Sequence, residues 1–106
     1  MAASGASFPL TLRIAGRRVV VVGGGHVATR RALSLLDAHA DVVVISPEVS
    51  TSLASSIGRG DIEWIQRAYR TGDLQGAWLV QTATGDPHVD GRVADDAEAQ
   101  ATWCLK

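Results

Sequence analysis

At 106 residues, 46% hydrophobic and 20% charged, the chain has the composition of one globular domain rather than a disordered or fibrous protein. A net charge of -1 argues against nucleic-acid binding or docking on an anionic membrane, and no apolar run approaches the roughly 20 residues that span a bilayer. Cys104 stands alone, so no intrachain disulfide or multi-cysteine metal site forms, and a reducing, cytoplasmic setting is expected.

Residues 1–7 lack the basic-then-apolar pattern of a secretory signal and are expected to be a flexible N-terminus, leaving 8–106 as one domain. After an extended stretch from Phe8 to Leu12, the β-branched run Arg17 to Val22 predicts a strand buried on both faces, because it does not alternate. Three glycines end it. From His26 to about Ala38, Ala28, Ala32, Leu35 and Leu36 follow helical spacing, and His39 falls where a helix closes in a left-handed conformation. Asp41 to Ile45 is a second buried strand. Ser46-Pro47-Glu48 then has the form of an N-cap, a first-turn proline and a first-turn acid, so a second helix is predicted from there, with Val49, Leu53 and Ile57 on one side and a stop at Gly58-Arg59-Gly60.

Ile62 to Gln66 predicts strand three, Ala68 to Gly76 a loop, and Ala77 to Thr82 strand four. Asp86-Pro87 repeats the cap-and-proline start, Val89, Val93, Ala97 and Ala101 form a helical stripe, and Trp103 to Leu105 is strand five. Strands alternating with helices predict a parallel sheet with right-handed crossovers. The expected fold is α/β: a Rossmann-type, doubly wound, three-layer α/β/α domain with strand order 3-2-1-4-5.

Gly23-x-Gly25-x-x-Ala28 matches the dinucleotide fingerprint. The first glycine makes the tight turn, the second lets the backbone approach a pyrophosphate, and the small third residue lets helix and strand pack closely. Free N–H groups and the helix dipole then offer an anion site without a cationic side chain. A tight turn with no ligand is the competing reading, and the complete strand-turn-helix-strand context favours binding. The acid that usually grips the adenosine ribose after strand two is absent. Ile45-Ser46 stands there, with Glu48 slightly later and no arginine to hold a 2′-phosphate, so Ser46 or the backbone around Pro47 and Glu48 is left to contact the ribose. Helix capping explains Ser46 and Glu48 equally well.

Asp86, His88 and Asp90 cluster after strand four, where ligands bind in such folds, but capping and a solvated first turn also account for them. Asp95, Asp96 and Glu98 are expected on a solvated helix face. Trp64, Trp78 and Trp103 fall on strands, where packing is their ordinary role, and Cys104 is expected to be a small buried strand residue.

A more specific pattern runs through nearly the whole chain. Phe8-Pro9-Leu10, Leu12 and Gly16-Arg17 lead into Val20 to Ala28, followed by Arg31 and Ala32, and later by Trp78-Leu79-Val80, Ala83-Thr84, Val89 to Val93 and Cys104. This resembles the N-terminal module of siroheme synthases, the precorrin-2 dehydrogenase and sirohydrochlorin ferrochelatase family. The resemblance implies NAD-dependent oxidation of the tetrapyrrole precorrin-2 to sirohydrochlorin, with iron insertion in many members, and a homodimer for the complete protein. It carries cofactor contacts onto Gly23, Gly24, Gly25, His26 and Val27, onto Ser46, Pro47 and Glu48, and onto Ala83 and Thr84. Arg30 and Arg31 are candidates for attracting tetrapyrrole carboxylates. The stretch Val89 to Val93 lacks the family's asparagine. The family's catalytic aspartate lies just beyond the strand-five cysteine, in an Asn-Val-x-Asp-like run, whereas this sequence reads Cys104-Leu105-Lys106, so no catalytic residue is assigned and the dimerisation and substrate-cleft segments are expected to be missing. A non-catalytic NAD-sensing module and a partner-dependent fragment are the alternatives.

Overall fold

The computed structural model describes residues 7–106, so the expected flexible N-terminus lies outside the described residues except for Ser7. The elements are β1 (Arg18–Val22), α1 (His26–Asp37), β2 (Asp41–Ile45), α2 (Thr51–Gly58), β3 (Glu63–Ile65), β4 (Leu79–Thr82), α3 (Pro87–Ala99) and β5 (Trp103–Leu105). All strand pairs are parallel and the order is β3-β2-β1-β4-β5, the doubly wound arrangement expected from the sequence.

The run of valines at the centre of the sheet explains why both faces are dry. Val19 and Val21 face the core that α1 and α2 cover with Ala28, Ala32 and Leu53, whereas Val20 and Val22 face the core that α3 covers with Val93 and Ala97. All four β1 valines are essentially unexposed, and each contributes about 1.5–3 kcal/mol relative to an exposed side chain. The loop between β3 and β4 forms turns rather than a helix, and its Tyr69 and Leu74 fill the second core beside α3. Among the described residues no helix is long and apolar enough to cross a membrane.

All three helices close in the same way. His39, Gly60 and Ala101 take left-handed backbone conformations just beyond α1, α2 and α3, and their N–H groups bond back to Leu36, Ile57 and Glu98. The next residue's N–H reaches one position further back, to Leu35, Ser56 and Ala97, completing a Schellman motif at each end. The reading of His39 as a left-handed cap holds. Ala101, expected on the α3 stripe, instead lies past the end of that helix.

Other boundaries move as well. Helix α2 starts at Thr51 with Ser50 as its N-cap, not at Ser46, because the Ser46 hydroxyl is turned to the Glu48 carbonyl while that of Ser50 accepts from the Leu53 N–H. Strands β3 and β4 are shorter than the runs 62–66 and 77–82, and Phe8 and Leu10 are exposed while Leu12 packs on the first core. Trp64 and Trp78 pack against that core, and the Arg17 guanidinium sits 4.4 Å over the Trp78 ring. Trp103, on the edge strand, is half exposed.

Candidate functional site

The register brings Val22, Ile45 and Thr82 level at the C-terminal edge of the sheet. The chain leaves β1 toward β2 and later returns on the other side of β1 as β4, so the crevice where winding reverses lies between the turns that follow these strands. Gly23 to Gly25, Ser46 to Ser50, and Ala83 to Asp86 therefore meet at one place.

The three glycines have three different reasons to be glycine. Gly23, at φ +126°, is buried between Ala83 and Ala28, and a Cβ on it would stand 2.5 Å from the Ala83 carbonyl oxygen. A Cβ on Gly24 would come within 2.0 Å of the Glu48 carbonyl oxygen and 2.6 Å of the Ser46 hydroxyl. Gly25 is extended and exposed, and a Cβ there would meet only open space. The first two positions thus admit protein backbone, and the third leaves room for something else. The fingerprint foresaw Gly23, Gly25 and Ala28. It gave no reason for Gly24, which depends on the path of the loop after β2.

That loop is held from several directions. The Ser46 hydroxyl donates to the Glu48 carbonyl at 2.7 Å, and the Trp64 indole N–H donates to the Ser46 carbonyl at 3.0 Å. Ser50 N–H donates to the Gly24 carbonyl, while the Thr29 hydroxyl lies 2.6 Å from both the Gly25 carbonyl and the Ser50 hydroxyl. One proton arrangement satisfies every group: Thr29 donates to Gly25, Ser50 donates to Thr29, and Ser50 accepts from Leu53 N–H. Sequence reasoning missed Thr29 and Ser50, since nothing in their spacing reveals a pairing across 21 residues.

After β4, Asp90 is not a solvated helix residue. Its Oδ1 accepts from the Thr82 hydroxyl at 2.6 Å, the Thr84 hydroxyl at 2.7 Å and the Thr84 N–H at 3.2 Å. Burial pushes the carboxyl up, but these bonds outweigh it and hold the group below the usual carboxylate range. Asp86 caps α3 by accepting from His88 N–H, and His88 is exposed. Asp96 also departs from its expected solvated role, because it accepts from the Tyr69 hydroxyl at 2.5 Å and the Thr71 hydroxyl at 3.1 Å. Burial and that bond to Asp96 push the Tyr69 phenol up. Among the described residues no group of three His, Cys, Asp or Glu side chains is arranged to hold a metal ion.

Two cavities flank the glycine turn. The larger, about 530 Å³, lies between the Ser46 to Ser50 loop and α3, with Ile45, Val49, Tyr69 and Val89 as apolar walls and Glu48 and Arg92 as its charged lining residues. The smaller, about 440 Å³, is bounded by His26 and Val27, by Ala83 and Thr84, and by Asp90 and Lys106. Gly25 and Thr84 line both. Every one of the ten residues expected at the cofactor site lines one cavity or the other, whereas Arg30 and Arg31 are exposed on α1 and line neither.

Residues 10–106 match the family described as "Putative NAD(P)-binding". The chain belongs to that family. This NAD(P)-binding domain is similar to siroheme synthases, being 42% identical over 89 residues to that of Azotobacter vinelandii (strain DJ / ATCC BAA-1303) and 44% identical over 91 residues to that of Pseudomonas putida (strain W619). Those alignments cover 84% and 86% of this chain but only 19% and 20% of the relatives, so the chain spans about a fifth of their length. A solved structure named "SirC, precorrin-2 dehydrogenase" superposes with a TM-score of 0.78 at 31% identity, over 83% of this chain and 44% of that one. The resemblance noted in the sequence is borne out.

The geometry fits a nicotinamide dinucleotide. α2 and α3 are capped by the side chains of Ser50 and Asp86, but no side chain caps α1 of this NAD(P)-binding domain at Gly25. Its first-turn N–H groups and the positive end of its dipole face the open space beside Gly25, which suits a phosphate. Gly25 lines both cavities, so a ligand bound there has access to each.

Proposed function

We propose that the chain is the NAD-binding module of a cytoplasmic precorrin-2 dehydrogenase of siroheme biosynthesis, with the tetrapyrrole precorrin-2 as substrate and sirohydrochlorin as product. The observation that carries the binding half of this reading is the uncapped start of α1 at Gly25, open between two cavities. Similarity to siroheme synthases and to a precorrin-2 dehydrogenase supports the substrate.

In this reading Gly23 and Gly24 set the turn, and the backbone from Gly25 to Val27 holds the pyrophosphate. Ser46, Pro47 and Glu48 border the adenosine in the larger cavity, while His26, Val27, Ala83 and Thr84 border the nicotinamide in the smaller one. Bound NAD supplies the hydride acceptor, so that two hydrogens leave precorrin-2 as a hydride and a proton. NAD is favoured over NADP in this reading because an acid, Glu48, lines the cavity assigned to the adenosine, where it disfavours a 2′-phosphate. Arg92, the cation lining that cavity, is already engaged there, donating to the Tyr69 carbonyl at 3.2 Å and sitting 5.6 Å over the Tyr69 ring.

Calorimetric titration of this chain with NAD and NADP tests the cofactor half, and turnover of precorrin-2, read as sirohydrochlorin absorbance, by a siroheme synthase in which this chain replaces the matching segment tests the substrate half. Tighter binding of NAD than NADP by the chain, and turnover by the chimera, are expected. Absence of NAD binding at millimolar concentration sinks the cofactor reading, and binding by the chain with no turnover in the chimera points instead to a nucleotide-sensing module.

A further inference from the structure

Asp90 is the least expected member of the site. It stands one turn into α3, yet its carboxylate reaches back to the end of β4, where a single oxygen gathers the hydroxyls of Thr82 and Thr84 and the Thr84 N–H. Thr82 is 2% exposed, and Asp90 is the partner its hydroxyl donates to. Thr84 is the residue that, with Gly25, lines both cavities. Its hydroxyl stands 3.1 Å from the Asp86 N–H, which donates to it, so the turn from β4 into α3 hangs on the same cluster. Asp90 is also among the residues that line the smaller cavity.

We propose that Asp90 is a positioning residue for the dinucleotide: it fixes Thr84 and Ala83 against the glycine turn and so shapes the wall of the nicotinamide end. This rests on the reading of the two cavities as halves of one NAD site. A carboxylate suits the task because one of its oxygens can accept several donors at once, and because bonds to an ionised acceptor are stronger than neutral ones. Alanine leaves Thr82 with a buried hydroxyl and frees Thr84 to turn. Asparagine keeps an acceptor oxygen at nearly the same place.

The test is calorimetric titration of the wild-type chain, Asp90→Ala and Asp90→Asn with NAD and with ADP, which lacks the nicotinamide half. NAD affinity is expected to fall about tenfold or more in D90A, as loss of bonds to a charged acceptor commonly does, while ADP affinity changes less than about threefold. D90N is expected to recover most of the NAD affinity. Thr84→Ala, which removes one of the clustered hydroxyls and leaves Asp90 with Thr82, replaces D90A if that variant does not fold, and is expected to weaken NAD selectively too. NAD binding by D90A equal to wild type overturns the proposal, as does an equal loss of NAD and ADP, the mark of a general structural role. A wild-type chain that binds neither nucleotide overturns the cofactor reading itself, a result distinct from either of these.

Discussion

The hydroxyls of Thr29 and Ser50 lie 2.6 Å apart and join the first helix of the glycine turn to the N-cap of the next helix. Through this contact the Gly25 carbonyl, the Thr29 side chain and the Leu53 N–H share one chain of hydrogen bonds. Thr29→Val keeps the shape of the side chain and removes its hydroxyl from a site 9% exposed. The Gly25 carbonyl then loses a donor and the Ser50 hydroxyl an acceptor, which costs about 1–3 kcal/mol. Urea unfolding of T29V is expected to show that loss with an unchanged slope. An unaltered midpoint would show that water replaces the threonine without cost.

The sequence made the frame of the site legible and hid its supports. The strands themselves, the glycine turn, the Asp86 cap and the left-handed His39 follow from local rules, because each depends on residues a few positions apart, and the strand order follows from the regular alternation of strands with helices. The start of α2 did not. Ser46-Pro47 and Ser50-Thr51 both suit an N-cap, and what decides between them is Ser50 meeting Gly24 and Thr29. The roles of Asp90 and Asp96 were equally out of reach, since polar residues on a helix read as solvated until the strand end or loop opposite them is known.

Gly24 and Gly25 are adjacent, yet their alanine variants are expected to fail differently. In Gly24→Ala the new Cβ collides with the backbone carbonyl of Glu48, so the loop after β2 must move. Stability is expected to fall by about 1–3 kcal/mol, as for other overpacked sites, along with cofactor binding. Gly25→Ala meets no protein atom and has a backbone conformation that alanine adopts. Its stability is expected within about 0.5 kcal/mol of wild type, while NAD affinity falls because the methyl stands where the phosphate approaches. Thermal melting together with titration separates the two, and a G25A variant that binds NAD normally would move the phosphate elsewhere.

Ala101 offers a gain in stability. Its φ of +57° lies in the left-handed region, which costs an alanine about 1–2 kcal/mol, and the residue is exposed, so its methyl packs little. Ala101→Gly retains the N–H that bonds to Glu98 and relieves the backbone. An increase of about 1 kcal/mol is expected, visible as a rise in melting temperature of about 4–8 °C. A fall instead would mean that the added freedom of glycine in the unfolded chain outweighs the relief.

Acid is expected to loosen the chain through Asp73 and Asp90. Asp73 is held below its ordinary value first by the Arg67 guanidinium, whose two nitrogens donate at 2.8 and 2.7 Å, and further by the Arg70 N–H, against the opposing effect of burial. In Asp90 burial is the largest influence but is overcome by the threonine bonds. Both folded values therefore lie below the unfolded 3.8. A depressed carboxyl contributes its full stability above the unfolded value and loses it as pH falls through the folded one. Urea midpoints are thus expected to decline on acidification below pH 3.8, and the decline should be shallower in Asp73→Asn, which is already without that charge. The gap between wild type and D73N is expected to narrow toward lower pH. A gap that stays constant would assign the Arg67 to Asp73 contact to geometry alone, with no electrostatic part in holding the loop that carries Tyr69 to the wall of the larger cavity.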